Sequence, residues 1–98
     1  MKQKLVEKIK QAIYEWAKQY PQVELAEIDV YPSPSGVPDV FHVIVVAAKG
    51  FESWDQADRE DDLYWFLQKQ LDDSNDIGIS LLLTLTEEES DKYEQVTY

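Results

Sequence analysis

The chain of 98 residues contains no cysteine, three glycines, four prolines and a single histidine. Without cysteine, disulfide scaffolds, thiolate metal sites and thiol catalysis are excluded. The longest apolar run, Val43 to Ala48, is far shorter than the roughly 20 residues of a membrane-spanning helix. Basic residues are scarce, nine against twenty acids, and the net charge of -11 opposes nonspecific binding to nucleic acid and to anionic membranes.

The composition is that of a folded protein. Hydrophobic residues make up 44% of the chain, too many for a disordered acidic tail. The length suits one domain, so we expect residues 1–98 to form a single unit. Charged residues interrupt the N-terminal segment, which therefore lacks the apolar stretch of a secretory signal, and we expect a soluble cytoplasmic protein.

Residues 2 to 20 have the apolar periodicity of an amphipathic helix. Its apolar stripe contains Leu5, Ile9, Ile13, Trp16 and Tyr20. The lysines lie mostly off that stripe, so we interpret the segment as a packed helix with a solvated lysine face instead of a membrane-binding helix. The proline at position 21 ends the helix, because proline lacks a backbone N–H and disfavours helical geometry in the residue before it.

Two strands are expected next. Residues 23 to 31 read as a strand whose apolar side chains change face after Leu25, which predicts a β-bulge near Ala26–Glu27. Residues 32 to 39 contain three prolines and a glycine and form a loop. Residues 40 to 48 are apolar on both faces apart from His42, as expected of a central strand.

The second half of the chain predicts a helix, a strand and a short helix. Ser53 and Gln56 have the spacing of a capping box and predict a helix over residues 54–71. Its expected inner stripe is Ala57, Leu63, Tyr64, Leu67 and Leu71. Residues 72–76 form a turn, and residues 77–85 alternate as a strand with the odd-numbered side chains inward. Thr86 and Glu89 repeat the capping-box spacing and predict a helix over residues 87–93.

The predicted fold is therefore α+β, with the order helix, strand, strand, helix, strand, short helix. The eight-residue loop favours an antiparallel hairpin of the first two strands. The helical crossover favours a parallel, right-handed pairing of the second and third strands. We expect a small three-stranded mixed sheet with helices packed on one face. The other face is then either an interface or is covered by the terminal segment Tyr93–Tyr98.

Over about residues 23 to 92 this pattern resembles the BolA-like family. The resemblance is carried by residues 41–46 followed by Phe51, by Arg59 before Leu63 and Leu67, and by the segment from Ile79 to Glu88. It implies the same order of helices and strands. That family is associated with monothiol glutaredoxins and with iron–sulfur clusters bound through a histidine near the last strand and a Cys or His in the hairpin loop.

The ligands that the family uses for the cluster do not carry over. Ile77 and Gly78 stand where the histidine of the last strand would be expected, and the loop over residues 32–39 contains no Cys or His. The family's histidine before the strand-two Phe would fall at Val40, whereas His42 follows Phe41 on the opposite face. We therefore expect no cluster and no other cofactor. The related nucleic-acid-binding form requires a Gly-x-x-Gly loop and basic surroundings, which are absent.

Few residues point to catalysis or to metal binding. A lone His42 in an apolar strand is more typical of a hydrogen-bonded structural side chain than of a general base. Asp58, Asp61 and Asp62 share a helix face and are more typical of a solvated helix start than of a cation site. The EF-hand-like start at Asp73 lacks the glutamate at its twelfth position. We predict no catalytic, cofactor-binding or metal-ligating residue.

The sequence favours a noncatalytic protein-interaction or regulatory module that binds another protein or itself, with a homodimer as one outcome. Trp65 and Phe66 project off the inner stripe of their helix, beside its acids. The predicted interaction residues are Trp54, Trp65, Phe66, Asp58, Asp61 and Asp62. Residues 1–20 carry five lysines and two glutamates, a net charge of +3, so the remainder carries -14. This polarity suits a basic partner or head-to-tail pairing.

Two alternatives stay open. The first is a small metal-dependent or histidine-dependent enzyme that uses His42 with carboxylates of the second helix, which requires these groups to converge in a pocket. The second is a regulator that mimics the charge of nucleic acid, which requires the acids to lie in one band.

Overall fold

A computed structural model describes residues 2–34, 36–71 and 78–96. The elements are α1 (Lys2–Lys18), β1 (Glu24–Pro32), β2 (Val40–Lys49), α2 (Gln56–Gln70), β3 (Gly78–Thr86) and α3 (Glu87–Val96). The predicted α+β order is confirmed. The predicted turn at residues 72–76 and the start of the predicted third strand at Ile77 lie outside the described residues.

The sheet has the predicted topology, with strand order β1-β2-β3. β1 pairs antiparallel with β2, and β2 pairs parallel with β3 across the α2 crossover. The predicted bulge is present, because Leu25 is opposite Ala47 whereas Glu27 is opposite Val46, which leaves Ala26 as the extra residue. The bulge turns Leu25 and the later apolar residues of β1 toward the same face.

The main core lies between one face of the sheet, here called the core face, and helices α1 and α2. Phe41, Val43, Val45 and Ala47 of β2 are buried there. α1 contributes Ile9, Ala12, Ile13 and Trp16, while α2 and the residue after it contribute Leu63, Leu67 and Leu71. Leu5 and Tyr20, the ends of the predicted α1 stripe, are half-buried against this core.

The opposite face of the sheet, here called the second face, is packed against α3. Ile44, Val46 and Leu85 form a smaller buried cluster that contacts Leu83 and Tyr93. The predicted packing of helices on one face therefore holds for α1 and α2, and α3 lies on the other. Of the two expectations for this face, the contact made by Tyr93 supports cover by the terminal segment, of which residues 97 and 98 lie outside the described part.

Three local predictions were wrong. Ser53 does not cap α2; the helix begins at Gln56, and Asp55 precedes it without a side-chain capping bond. Ala57 and Tyr64 are exposed instead of lying on the inner stripe, which consists of Arg59, Leu63 and Leu67 within the helix.

The third error concerns the side-chain alternation of β3. Phe41 is opposite Ile79 and His42 is opposite Leu81, so the register shifts by one residue at Ser80. Ile79 and Thr84 therefore share the core face, whereas the leucines at positions 81, 83 and 85 lie on the second face.

In the described residues no helix is both long and apolar enough to cross a membrane.

Candidate functional site

Four of the six side chains predicted to bind a partner lie along one face of α2. Asp58, Asp61 and Asp62 precede Trp65 by seven, four and three residues, spacings that place them on the same side of a helix. Trp65 is 65% exposed, and its ring makes an edge contact with Tyr64 at 5.8 Å between centroids. Asp58 and Asp61 are exposed and Asp62 is half-buried. We call Asp58, Asp61, Asp62 and Trp65 the α2 stripe.

The other two predicted anchors, Phe66 and Trp54, are half-buried against the main core. Phe66 lines a small cavity of about 180 Å³ together with Asp62 and Trp65. Trp54 stacks on Trp16 with ring centroids 5.8 Å apart and an interplanar angle of 25°. Trp54 therefore helps to join α1 to the start of α2, and Phe66 is the predicted anchor that adjoins the stripe.

Asp62 connects the stripe to the C-terminal end of α1. Its Oδ2 accepts a hydrogen bond from Trp16 Nε1 at 2.9 Å and another from the hydroxyl of Tyr20. The hydrogen bond to Asp62, with partial burial and the negative charge of that carboxylate, raises the pKa of Tyr20 to about 12. Tyr20 is therefore a neutral donor at ordinary pH. These bonds hold Asp62 in place, and Asp58 and Asp61 supply the more accessible negative charge of the stripe.

Arg59 is buried among carbonyl groups, a role that was not predicted from the sequence. Its Nη1 donates to the carbonyl oxygens of Phe51 and Trp54, both at 2.8 Å. Its Nη2 donates to the carbonyl oxygen of Thr84 at 2.7 Å and to Glu89 Oε1 at 2.5 Å. The guanidinium carbon also lies 4.9 Å from the centre of the Phe51 ring. Arg59 therefore links the β2–α2 connection, β3 and α3.

The position of Arg59 also determines the charge of the α2 surface. Arg59 comes four residues before Leu63, which was the sequence signal that it lies on the inner stripe. Its positive charge is directed inward, toward Glu89 and three carbonyl groups. Arg59 therefore does not pair with Asp58 or Asp61, and the outer face of α2 keeps its negative charge.

Glu89 has the second unusual environment in this network. Partial burial opposes its ionisation, but hydrogen bonds from the Thr86 N–H and from Arg59, with the charge of Arg59, outweigh that effect and lower the pKa of Glu89. The Glu89 N–H donates to Thr86 Oγ1 at 3.1 Å and the Thr86 N–H donates to Glu89 Oε1 at 2.8 Å. The predicted capping box of α3 is thus confirmed.

His42 does not converge with the acids of α2. It alternates with the core-face residues of β2 and lies on the second face, whereas α2 packs on the core face. Its Nε2 is 3.5 Å from Ser33 Oγ, and its ring makes an edge contact with Tyr31. Within the described ranges no three His, Asp or Glu side chains are grouped so that they could hold a metal ion. The alternative of an enzyme that uses His42 with carboxylates of α2 therefore has no assembled site among the described residues.

The exposed acids also do not lie in one band. Asp58 and Asp61 belong to α2, above the core face. Glu27 and Asp29 of β1 are opposite Val46 and Ile44 and therefore lie on the second face, where α3 adds Glu87. This distribution differs from the single band that mimicry of nucleic acid would require.

Comparison with protein-family models, with curated proteins and with solved structures gave no match to this chain. The resemblance to the BolA-like family therefore stays a prediction. The order of helices and strands that it implies is the order observed.

Proposed function

We propose that this protein is a noncatalytic protein-binding module, and that the α2 stripe binds a basic surface of a partner protein. The observation that carries the proposal is the exposure of Trp65 next to the carboxylates of Asp58 and Asp61. The other two tryptophans, Trp16 and Trp54, are buried or half-buried in one aromatic cluster. Trp65 is thus the one that a partner could bury.

The chemistry of the stripe indicates what the partner surface contains. Tryptophan is among the residues most often found at the energetic centre of protein interfaces, where its burial removes a large apolar area from water. Carboxylates around such an anchor steer lysine and arginine toward it and exclude acidic competitors. An arginine of the partner can additionally stack on the indole ring. We propose the cytoplasm as the compartment, with which a chain that needs no disulfide is compatible.

A photocrosslinking residue at position 65 tests the proposal. The same residue at position 4 is the control, because Lys4 is an exposed side chain on a different helix. We expect one protein from native extract to be crosslinked from position 65 and not from position 4. The purified partner should then bind the unmodified chain, and Trp65→Ala should weaken its binding about 30-fold, as for an interface hot spot of about 2 kcal/mol.

Crosslinking, affinity measurements and sedimentation equilibrium together separate a heterologous partner from self-association. Equal crosslinking from both positions, or equal affinity of the wild type and Trp65→Ala for the purified partner, would contradict the proposal. A concentration-dependent dimer in sedimentation equilibrium that Trp65→Ala dissociates would assign the stripe to a second copy of this chain instead.

A further inference from the structure

The two outer edges of the sheet differ in how their backbone groups are satisfied. At the β3 edge, the Thr84 N–H donates to Glu60 Oε2 at 2.8 Å, and the Thr84 carbonyl accepts from Arg59 Nη2 at 2.7 Å. Two residues on, the Thr86 N–H donates to Glu89 Oε1 at 2.8 Å. Charged side chains thus occupy positions that a neighbouring strand would otherwise take, and they protect this part of the edge from further pairing.

The β1 edge is open. The Ser33 N–H donates to the Val40 carbonyl of β2 at 2.8 Å. Because backbone direction alternates along an antiparallel ladder, Tyr31 and Asp29 also point their N–H and C=O groups toward β2, whereas Ile28 and Val30 point theirs outward. β1 is the terminal strand of the sheet, and within the three described ranges no strand pairs with its outer side.

The surface beside this edge is acidic on the second face of the sheet and apolar on the core face. On the second face, Glu27 and Asp29 are exposed, and Glu27 lines a cavity of about 390 Å³ with Glu87 and Asp91. On the core face, an apolar groove of about 410 Å³ lies between α1 and the start of β1. Its lining includes Tyr14, Ala17, Val23 and Leu25. A strand added here would direct alternate side chains toward carboxylates and toward apolar surface.

We propose that the outer edge of β1 binds an extended segment of a partner protein in which lysine or arginine alternates with apolar residues. The segment adds a fourth strand, its backbone pairs with Ile28 and Val30, and its basic side chains lie beside Glu27 and Asp29. A second copy of this chain does not fit, because two-fold pairing of β1 strands would bring these carboxylates together on one face. The inference is independent of the α2 stripe, which lies on a different element.

A synthetic seven-residue peptide of alternating lysine and valine is the probe. Its control has the same composition with the lysines grouped at one end. We expect the alternating peptide to bind at least about tenfold more tightly in calorimetry, because only it presents basic and apolar side chains to the two faces separately. Amide hydrogen exchange of Ile28 and Val30 should slow at least about tenfold on binding. Exchange at Asp29, already bonded to β2, should not change.

Two pairs of charge reversals separate this edge from the other acidic positions of the surface. Glu27→Lys with Asp29→Lys should weaken peptide binding at least about tenfold. Glu7→Lys with Glu88→Lys, at exposed positions on α1 and α3, changes the net charge equally and should leave binding nearly unchanged at about 0.15 M salt, where screening is strong. Equal weakening by both pairs, or protection of α2 amides instead of Ile28 and Val30, would overturn the proposal whether or not the α2 stripe has a partner.

Val30→Pro is a further test, since it removes one outward N–H without removing a bond of the β1–β2 ladder. Urea unfolding verifies that this variant is folded. A folded variant should lose at least about tenfold in affinity for the alternating peptide, and unchanged affinity would contradict strand addition. Should it fail to fold, the charge reversals at the two exposed β1 positions decide the question.

Discussion

Arg59 shows how one side chain can hold several elements together. Its side chain is almost fully buried, and it donates hydrogen bonds to the connection before α2, to β3 and to the first turn of α3. A lysine at this position has one compact ammonium group and cannot reproduce a planar fork of donors. Without Arg59, the carbonyl groups of Phe51 and Trp54 would lose this donor in a buried or partly buried place, which costs free energy.

We expect Arg59→Ala to lower the free energy of unfolding by about 3 kcal/mol or more, the usual cost of removing one partner from a buried charged network. Arg59→Lys should recover only part of that loss. The exposed Lys69 of the same helix provides the control, since Lys69→Ala should change the free energy of unfolding by less than about 0.5 kcal/mol. Urea titrations followed by circular dichroism measure all three. A loss for Arg59→Ala as small as that for Lys69→Ala would show that the network contributes no net stability.

The hydroxyl of Tyr20 makes a separate prediction about pH. Because its bond to Asp62 raises the folded-state pKa from 10.0 to about 12, the folded protein retains this proton where the unfolded chain has lost it. The stabilisation is complete below pH 10 and decreases as the pH rises from 10 to 12. We expect the Tyr20 ring carbon resonance to titrate near 12 in the wild type.

Asp62→Asn supplies the test of the cause. The variant removes both the charged acceptor and its negative field, so the pKa of Tyr20 should return toward 10.0. The exposed Tyr14, which has no contact with Asp62 among the described interactions, serves as the reference resonance in both proteins. A Tyr20 titration that is identical in the wild type and in Asp62→Asn would refute the assignment.

At the scale of elements, the connection from β2 to α2 depends on a close approach at Gly50. This glycine has φ of +100°, and a Cβ atom there would lie 2.5 Å from the backbone oxygen of Gln22 and 2.7 Å from Val23 Cα. Gly36 has φ of +77° but an added Cβ would meet nothing within 4 Å. The two positions therefore differ in steric space while both have left-handed backbone conformations.

We expect Gly36→Ala to cost about 1 kcal/mol of unfolding free energy, the conformational penalty alone. Gly50→Ala should cost about 2 kcal/mol or more beyond that, because the turn after α1 must move away from β2. Thermal and urea unfolding of the two variants give the comparison. Similar losses of unfolding free energy at both positions would mean that the backbone at Gln22 can move away from the added Cβ atom without destabilising the protein.

The order and pairing of the elements could be predicted because periodicity and loop length determine them. The bulge at Ala26 was also predictable, since Leu25 and Ile28 had to share one face. The bulge at Ser80 left no comparable signal, because β3 has leucine at positions 81, 82 and 83 and either register buries apolar side chains. Local patterns also could not show that Trp54 packs on Trp16, in the segment that precedes the start of α2 at Gln56.

The candidate site was predictable in part, for a physical reason. Helical spacing predicted that Asp58 and Asp61 share a face and that Trp65 lies off the inner stripe beside the acids, and all three side chains are exposed. The attachment of Asp62 to Trp16 and Tyr20 depends on how α1 crosses α2, a long-range contact that no local pattern encodes. The difference between the two sheet edges likewise depends on which side chains of α2 and α3 reach β3.

At the scale of the whole molecule, the net charge of -11 is spread over both faces of the sheet. The single arginine is directed inward, so it does not offset the exposed acids. Folding brings these acids together within a molecule whose radius of gyration is 13.2 Å. Repulsion between their charges therefore opposes folding. Salt screens such repulsion once the Debye length, ~30 Å at 0.01 M, decreases to ~10 Å at 0.1 M.

We therefore expect the urea midpoint to rise between about 0.01 M and 0.15 M NaCl. Neutralising one exposed acid on α2 and two on β1, with Asp61→Asn, Glu27→Gln and Asp29→Asn, should raise the midpoint at low salt and gain little at the higher concentration. Lys4→Gln, which removes an exposed positive charge, should have the opposite sign. A midpoint that does not respond to salt would show that the acids are too dispersed to repel. In that case, the acidity would discriminate among partners without reducing stability, because local carboxylates still attract lysine and arginine at short range.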